Sequence, residues 1–383
     1  MSERMKPTDV LKDPGFRRLT PDEEKAVSLA YRHDLLAGLQ GKPSDLPMFP
    51  SLLSPVDLTT LKEGKQALVI EIGGTNVYAT RIFPHGGKVK IEGSVQEAMG
   101  QTTFENVDDF FSVISSKLDP MLQGGAPDTI GIIYSFPGNI IQTNNGIDVM
   151  SPEVLTKELV IPGISENPVG ESLLAFLSKT YGFLKSTPIV VSNDTVGVAM
   201  SDGAKIGGVV ASGFNLAVTT TDGLVNTESG GFNKIPTHQL VEKIDEESVN
   251  RGKYFSEKQI AGTYLGKQFA LATERHDLDA TEISRVLNDG KADGEYKVAK
   301  ILRDRSTQLV GIMIGTAIKT FPDVFTERLV NVPIEGSLFW RMPQYVERTQ
   351  ATAERISGSE INFVNIPYAG RVGAGVAALS FIK

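Results

Sequence analysis

The chain has 383 residues, 40% of them hydrophobic and 22% charged, and a formal net charge of -8. That balance suits two globular domains with substantial cores, and it offers no basic tract for nucleic acid and no Lys/Arg-rich helix for a membrane surface. The absence of cysteine excludes disulfides, thiolate metal sites and cysteine nucleophiles, and fits a reducing, cytoplasmic setting.

The N-terminal residues Met1-Ser2-Glu3-Arg4-Met5-Lys6 lack the apolar core of a signal peptide. The first clear element is a helix from Pro21, where Thr20 and Glu23 form a capping-box pattern. Val27, Tyr31, Leu35 and Leu39 make one apolar stripe along it, and Gly38 with Gly41-Lys42-Pro43 ends it. Leu46-Pro47-Met48-Phe49-Pro50 reads as irregular chain within a Pro/Ser-rich connector.

Ala67-Leu68-Val69-Ile70 then reads as a strand, followed by Glu71-Ile72-Gly73-Gly74-Thr75-Asn76 and a second strand from Val77 to Phe83. A glycine-rich phosphate loop normally leads into a helix whose N-terminus faces the anion. Here a strand follows, so the pattern predicts a β-hairpin with exposed amides at its tip. Such a tip can wrap phosphate oxygens; for Gly-Gly alone an ordinary tight hairpin is the better reading, and the flanking acid and the Thr-Asn pair shift it toward phosphate.

A helix is predicted over Val107–Leu122, where Phe110, Phe111, Ile114 and Leu118 share a face, and a buried strand over Thr129–Tyr134. Residues 170–184 read as a helix carrying Leu173, Leu174, Leu177 and Tyr181. The strand Ile189-Val190-Val191 stops at Ser192-Asn193-Asp194, and a helix can follow over Thr195 to Met200. Val209-Val210-Ala211, Ser212-Gly213-Phe214-Asn215 and Leu216 to Thr221 repeat the strand–turn–strand theme, which suggests two similar α/β halves. Val298, Ile301, Leu302, Leu309, Ile312 and Met313 mark a largely buried helix. The four histidines are scattered without metal-ligand spacing and read as surface or packing residues.

Asp194 follows a β-branched strand, and ligands of α/β proteins gather at strand carboxyl ends. A carboxylate there can accept a hydroxyl proton, or it can simply cap the next helix. Ser135, Thr156, Lys157, Asn193, Asn215, Glu228 and Glu257 are further polar groups that can converge on one polyhydroxylated ligand.

In their order along the chain these segments resemble the hexokinase family, from about Leu29 almost to the C-terminus. Leu68 to Asn76 resembles its first phosphate motif, Tyr134-Ser135-Phe136-Pro137 its Phe-Ser-Phe-Pro strand end, and Thr156-Lys157 its sugar-loop pair. Val191 to Gly197 resembles the catalytic segment, Ser212 to Asn215 the second phosphate hairpin, and Val225 to Phe232 with Glu257 to Gly266 the two sugar-binding glutamate segments. Pro333 to Phe339 resembles the adenosine motif. The resemblance implies an α/β, actin-like (ribonuclease H-like) two-domain kinase with a ligand cleft between the domains. The smaller domain is expected over residues 65–194 with 360–383, and the larger over 1–64 with 195–359. It implies phosphoryl transfer from ATP, with Mg2+, to the 6-hydroxyl of glucose or a related hexose.

By the same resemblance Asp194 is the general base. Ser135, Thr156, Lys157, Asn193, Asn215, Glu228 and Glu257 hold sugar hydroxyls, and Lys157 either does only that or also offsets charge on the moving phosphoryl. Gly73, Gly74, Thr75, Asn76, Ser212, Gly213, Gly336 and Ser337 meet the nucleotide, and Glu71 lies near the magnesium. The sequence departs from the family pattern mainly on the nucleotide side. Glu71 replaces a usual Asp, Tyr78 a usual Arg, and Ser212-Gly213-Phe214-Asn215 a Gly-Thr-Gly pattern. Residues Ala369 to Gly375 only loosely follow Asp-Gly-Ser-Gly-Lys-Gly. Tyr254 stands where Gln is common and Ser229 where Trp is. A catalytically weak sugar sensor on the same fold is therefore the second reading. A dinucleotide oxidoreductase is disfavoured, because no helix follows the glycine turn.

Overall fold

A computed structural model of the chain describes residues 6–73, 76–99, 103–123, 125–134, 136, 138–153, 160–273, 275 and 278–382. It divides into two compact units. One comprises Pro50–Lys205, Thr221–Val225 and Pro367–Lys383; the other comprises Met1–Phe49, Ile206–Thr220 and Asn226–Ile366.

The first unit is built on a seven-stranded sheet, ordered Lys88–Ala98, Asn76–His85, Ala67–Ile72, Thr129–Tyr134, Ile189–Ser192, Gly146–Met150 and Asn139–Thr143. The predicted hairpin is present, with Glu71 opposite Tyr78 and Ile72 opposite Val77 in antiparallel register. The strands 67–72, 129–134 and 189–192 run parallel, so their carboxyl ends share one edge. Their alternation sorts side chains to two faces. Leu68, Ile70, Ile72, Ile130, Ile132 and Val191 join Phe110, Phe111, Ile114 and Leu118 of the helix Val107–Leu122 in one core.

The opposite face carries the helices Asp194–Met200 and Ala369–Ser380, which cross at glycines. A Cβ on Gly373 would stand 1.6 Å from the Gly197 carbonyl oxygen, and one on Gly131 2.6 Å from the Ala374 carbonyl oxygen. Side chains at these points would push the helices off the sheet and off each other.

The second unit contains a strand row ordered Phe214–Thr220, Ile206–Val210, Leu329–Glu335 and Glu360–Val364. The first pair is the second predicted hairpin, antiparallel, with Asn215 opposite Val209. The strand 329–335 is parallel to both of its neighbours. The helix Gly294–Thr320 is buried along most of its length, as its apolar pattern predicts. On the helix Pro21–Leu39 the capping box of Thr20 and Glu23 is present in both directions. Val27, Tyr31 and Leu35 are buried, whereas Leu39, the last helical residue, is 36% exposed.

The helix expected over 170–184 is shorter, Val169–Leu177. The polar run Ser178-Lys179-Thr180 interrupts its apolar stripe. The amides of Thr180 and Tyr181 turn back onto the Leu177 carbonyl at 3.1 and 2.8 Å, and a separate 3-10 turn, Gly182–Ser186, follows. Tyr181 is not core. Its hydroxyl donates to Asp119 Oδ1 at 2.7 Å. Among the described residues no helix is long and apolar enough to cross a membrane.

Candidate active site

At the carboxyl edge of the seven-stranded sheet, the strand Ile189–Ser192 passes directly into the helix Asp194–Met200. Asn193, not Asp194, is its N-cap: Asn193 Oδ1 accepts the Thr195 amide at 2.9 Å. Asp194 is the first helical residue, with Oδ1 accepting from the Thr195 amide at 2.6 Å and from Thr195 Oγ1 at 3.1 Å. Its surface is half-buried, yet enough protein surrounds it for desolvation to dominate. Desolvation pushes its pKa up, against the bonds from Thr195. A carboxylate at a strand end, outside the capping role and with raised basicity, can accept a proton from a hydroxyl.

On the same edge, Gly73 donates its amide to the Asn76 carbonyl at 3.0 Å, closing the turn of the first hairpin. Glu71 is half-buried at its base. Its Oε2 lies 3.2 Å from Arg371 Nε, from the first turn of the helix Ala369–Ser380. The guanidinium is bracketed by the rings of Tyr78, 4.7 Å away, and Tyr368, 4.3 Å away. Gly74, Thr75, Ser135, Thr156 and Lys157 lie outside the described residues.

In the second unit, a polar chain starts at Asn215. Its Nδ2 donates to Asn226 Oδ1 at 2.7 Å, and Asn226 Nδ2 donates to Glu228 Oε1 at 2.7 Å. Asn215 Oδ1 accepts the amides of Leu216 at 2.8 Å and Ser229 at 3.0 Å, which fixes the side chain. Glu228 has φ +54°, a left-handed conformation that is uncommon for a non-glycine residue and recurs at functional sites.

Glu257, in the short helix Phe255–Ile260, meets the tip of the second hairpin. A Cβ on Gly213 would stand 3.2 Å from its Oε1, and it accepts the Phe214 amide. Desolvation, first, and the like charge of Glu228 push the Glu257 pKa up; the Phe214 amide and Lys258 oppose them. The two glutamates also raise the pKa of Tyr254, after its own burial. Asn215, Glu228 and Glu257 are thus brought together, with Asn226 and Tyr254 among them.

Ser212 is exposed at the same tip. Gly336, with φ +138°, follows the strand 329–335, and a Cβ there would stand 2.1 Å from the Val210 carbonyl oxygen. Gly336 and Ser337 therefore lie beside the end of the strand 206–210, within one region with Ser212 and Gly213.

Three participants were not singled out by the sequence as site residues. Asn226 lies inside a recognised segment, two residues before Glu228, a usable signal. Phe214 and Arg371 also lie inside recognised segments, Ser212 to Asn215 and Ala369 to Gly375, but their partners Glu257 and Glu71 come from the fold.

Comparison with known proteins gives a consistent result. A hexokinase family model matches residues 17–204, and a second hexokinase model matches residues 205–275. Mouse Hexokinase-3 is 22% identical over 89% of this chain and 43% of its own length. Rice chloroplastic Hexokinase-4 is 26% identical over 63% of this chain and 53% of its own. The chain thus spans about half the length of these curated relatives. A hexokinase crystal structure superposes with TM-score 0.80 at 21% identity, covering 97% of each chain. The Schistosoma mansoni hexokinase complexed with glucose superposes with TM-score 0.74 at 20% identity, covering 98% of each. The fold is that of the actin-like ATPases.

Proposed function

Because the chain belongs to the hexokinase family, we propose that it transfers the terminal phosphoryl group of ATP to the 6-hydroxyl of a hexose, glucose first among them. The family implies ATP-dependent phosphotransfer to a sugar, usually with Mg2+. The observation that carries the finer reading is Asp194: a carboxylate at the end of a central parallel strand, first residue of a helix whose N-cap is Asn193, with its pKa raised by desolvation.

In this reading Asp194 takes the hydroxyl proton as the new O–P bond forms. The bond from phosphorus to the ADP oxygen breaks, and ADP leaves with the negative charge. The transition state of such transfers is loose, so positioning and charge stabilisation matter more than nucleophile strength. Asn215, Glu228 and Glu257 accept or donate hydrogen bonds at the sugar hydroxyls, joined by Asn193, Ser135, Thr156 and Lys157. A polyol ring needs such a set of fixed polar partners, since each buried hydroxyl left unpaired costs about 1–3 kcal/mol. Gly73, Gly74, Thr75, Asn76, Ser212, Gly213, Gly336 and Ser337 lie along the nucleotide.

Magnesium at phosphoryl-transfer sites is held by one or two carboxylates and by the substrate's own phosphates. Glu71, the carboxylate expected near the metal, is already paired with Arg371. Among the described residues no group of three or more His, Cys, Asp or Glu side chains is arranged to hold a metal ion. A magnesium ion carried by the ATP phosphates would therefore share Glu71 with Arg371 or meet it through water.

The test is ADP release by the purified protein with Mg-ATP, with and without glucose, for wild type and Asp194→Ala. Glucose-dependent release that falls about 10²- to 10⁴-fold in the variant supports the reading. The second reading, a sugar sensor, is favoured by the altered residues Glu71, Tyr78 and Ser212. It requires saturable glucose binding with no release from the wild type.

A further inference from the structure

We propose that Arg371 binds the phosphates of the nucleotide donor, supplying from the C-terminal helix the cation that the family pattern places at Tyr78. The proposal deepens the donor end of the kinase reading and rests on it.

Glu71 and Tyr78 are register partners on adjacent strands, so both present to the face of the sheet that the helix Ala369–Ser380 covers. Arg371 enters there with two of its three guanidinium nitrogens held. Nε lies 3.2 Å from Glu71 Oε2, the rings of Tyr78 and Tyr368 flank it, and Nη1 lies 3.3 Å from Ser94 Oγ and 3.5 Å from Thr80 Oγ1. The Arg371 side chain keeps 12% of its surface accessible.

A plain bridge between helix and sheet needs the ion pair alone. The second ring goes further. Tyr368 is 54% exposed and holds φ +57°, a conformation a bulky aromatic residue seldom adopts. Its ring contributes to the bracket around the cation. Strained backbone that survives in a fold tends to sit at ligand clamps.

The cation pairs with Glu71, two residues before Gly73, whose amide closes the turn onto Asn76, and its Nη1 reaches back along the sheet to Thr80 and Ser94. With Nε and Nη1 held, the Nη2 hydrogens are the ones left to donate to phosphate oxygens, and a guanidinium of fixed orientation loses little freedom on doing so. The stacked rings favour a guanidinium over an ammonium, because Arg is more weakly hydrated and spreads its charge over a plane. Glu71 orients Arg371 and is a positioning residue in this account.

Calorimetric titration of ADP in excess EDTA tests the assignment, since it removes every metal contribution. Wild type, Arg371→Gln and Arg371→Lys are compared, with glucose titrated into each as a control. The expected result is metal-free ADP binding weakened about ten-fold or more in Arg371→Gln. Arg371→Lys should be intermediate, and glucose affinity unchanged in both. Equal ADP affinity in wild type and Arg371→Gln overturns the proposal. Should Arg371→Gln not fold, Tyr368→Ala carries the test: it lies outside the helix, and ADP affinity must fall in it. Wild type that releases ADP on glucose addition, beside an Arg371→Gln that binds ADP normally, removes the role of Arg371 and leaves the kinase reading standing. Wild type that binds no ADP in EDTA yet releases ADP from Mg-ATP with glucose overturns the proposal alone; wild type that does neither overturns the kinase reading as well.

Discussion

The two hairpins share a local design but face opposite chemistry. Each has an antiparallel pair of strands, a glycine in the turn and an asparagine just after it, Asn76 in one and Asn215 in the other. At the first, an arginine from almost 300 residues further on fills the base of the turn and pairs with Glu71. At the second, the tip meets a carboxylate, Glu257, and Asn215 leads through Asn226 to another, Glu228. Local sequence sets the shape of such a turn; its charge comes from residues that the fold delivers. On the proposed assignment the first hairpin has a cation beside its turn, whereas the second has two carboxylates below a tip, Ser212-Gly213, that itself belongs to the nucleotide side.

That contrast can be broken by mutation. Glu257→Gln removes the carboxylate at the second tip but leaves an amide that can still accept from Phe214. Glucose affinity should fall about ten- to a hundred-fold, with metal-free ADP affinity unchanged. A matching loss of ADP affinity, read by calorimetry, would show that the two ends are not chemically separate. Asn226→Ala breaks the chain between Asn215 and Glu228. A loss of about ten-fold in glucose affinity is expected, smaller than for Glu257 because both partners keep other bonds or solvent.

Gly373→Ala tests the scaffold that carries Asp194 and Arg371. A Cβ there meets the Gly197 carbonyl, and overpacking should lower stability by about 1–3 kcal/mol. Turnover per folded molecule should fall as well, since both helices must move. Denaturant unfolding checks the first effect, and unchanged stability would contradict the packing account.

The smallest effect expected is one of sign. The Asp194 carboxyl has a higher pKa folded than unfolded. Folding therefore takes up a proton, and this group's contribution to stability falls as pH rises from the ordinary carboxylate range through the raised folded value. Above that window the ionised group opposes folding in full. Asp194→Asn, whose side-chain oxygen can still accept from Thr195, should melt at the same temperature as wild type or slightly higher at neutral pH. A clear fall in melting temperature would mean that the charge is stabilised rather than desolvated. The same shift moves the acid limb of the pH–rate profile above that of an ordinary carboxylate, because the base must be ionised to work.

Much of the fold was legible where periodicity is strong. The helix Val107–Leu122 and the strand Thr129–Tyr134 carry unbroken apolar faces, and both hairpins carry glycine turns between β-branched runs. The edge strand Lys88–Ala98 was not legible, because it is largely exposed and its few apolar residues, Val89, Ile91 and Val95, are interrupted at Gly93. Asp194 could be read as base or cap from sequence alone; only the structure shows that Asn193 takes the cap. Arg371 lay inside the segment Ala369 to Gly375, which only loosely follows a family motif, and its partners Tyr78 and Glu71 could be seen only in the fold.

The central claim is that Asp194 performs proton transfer while Asn215, Glu228 and Glu257 recognise the sugar. Its most direct test is glucose binding and glucose-dependent ADP release measured together on Asp194→Asn. The account requires glucose affinity within about ten-fold of wild type, beside turnover reduced about 10²-fold or more. Turnover near the wild-type level would contradict it.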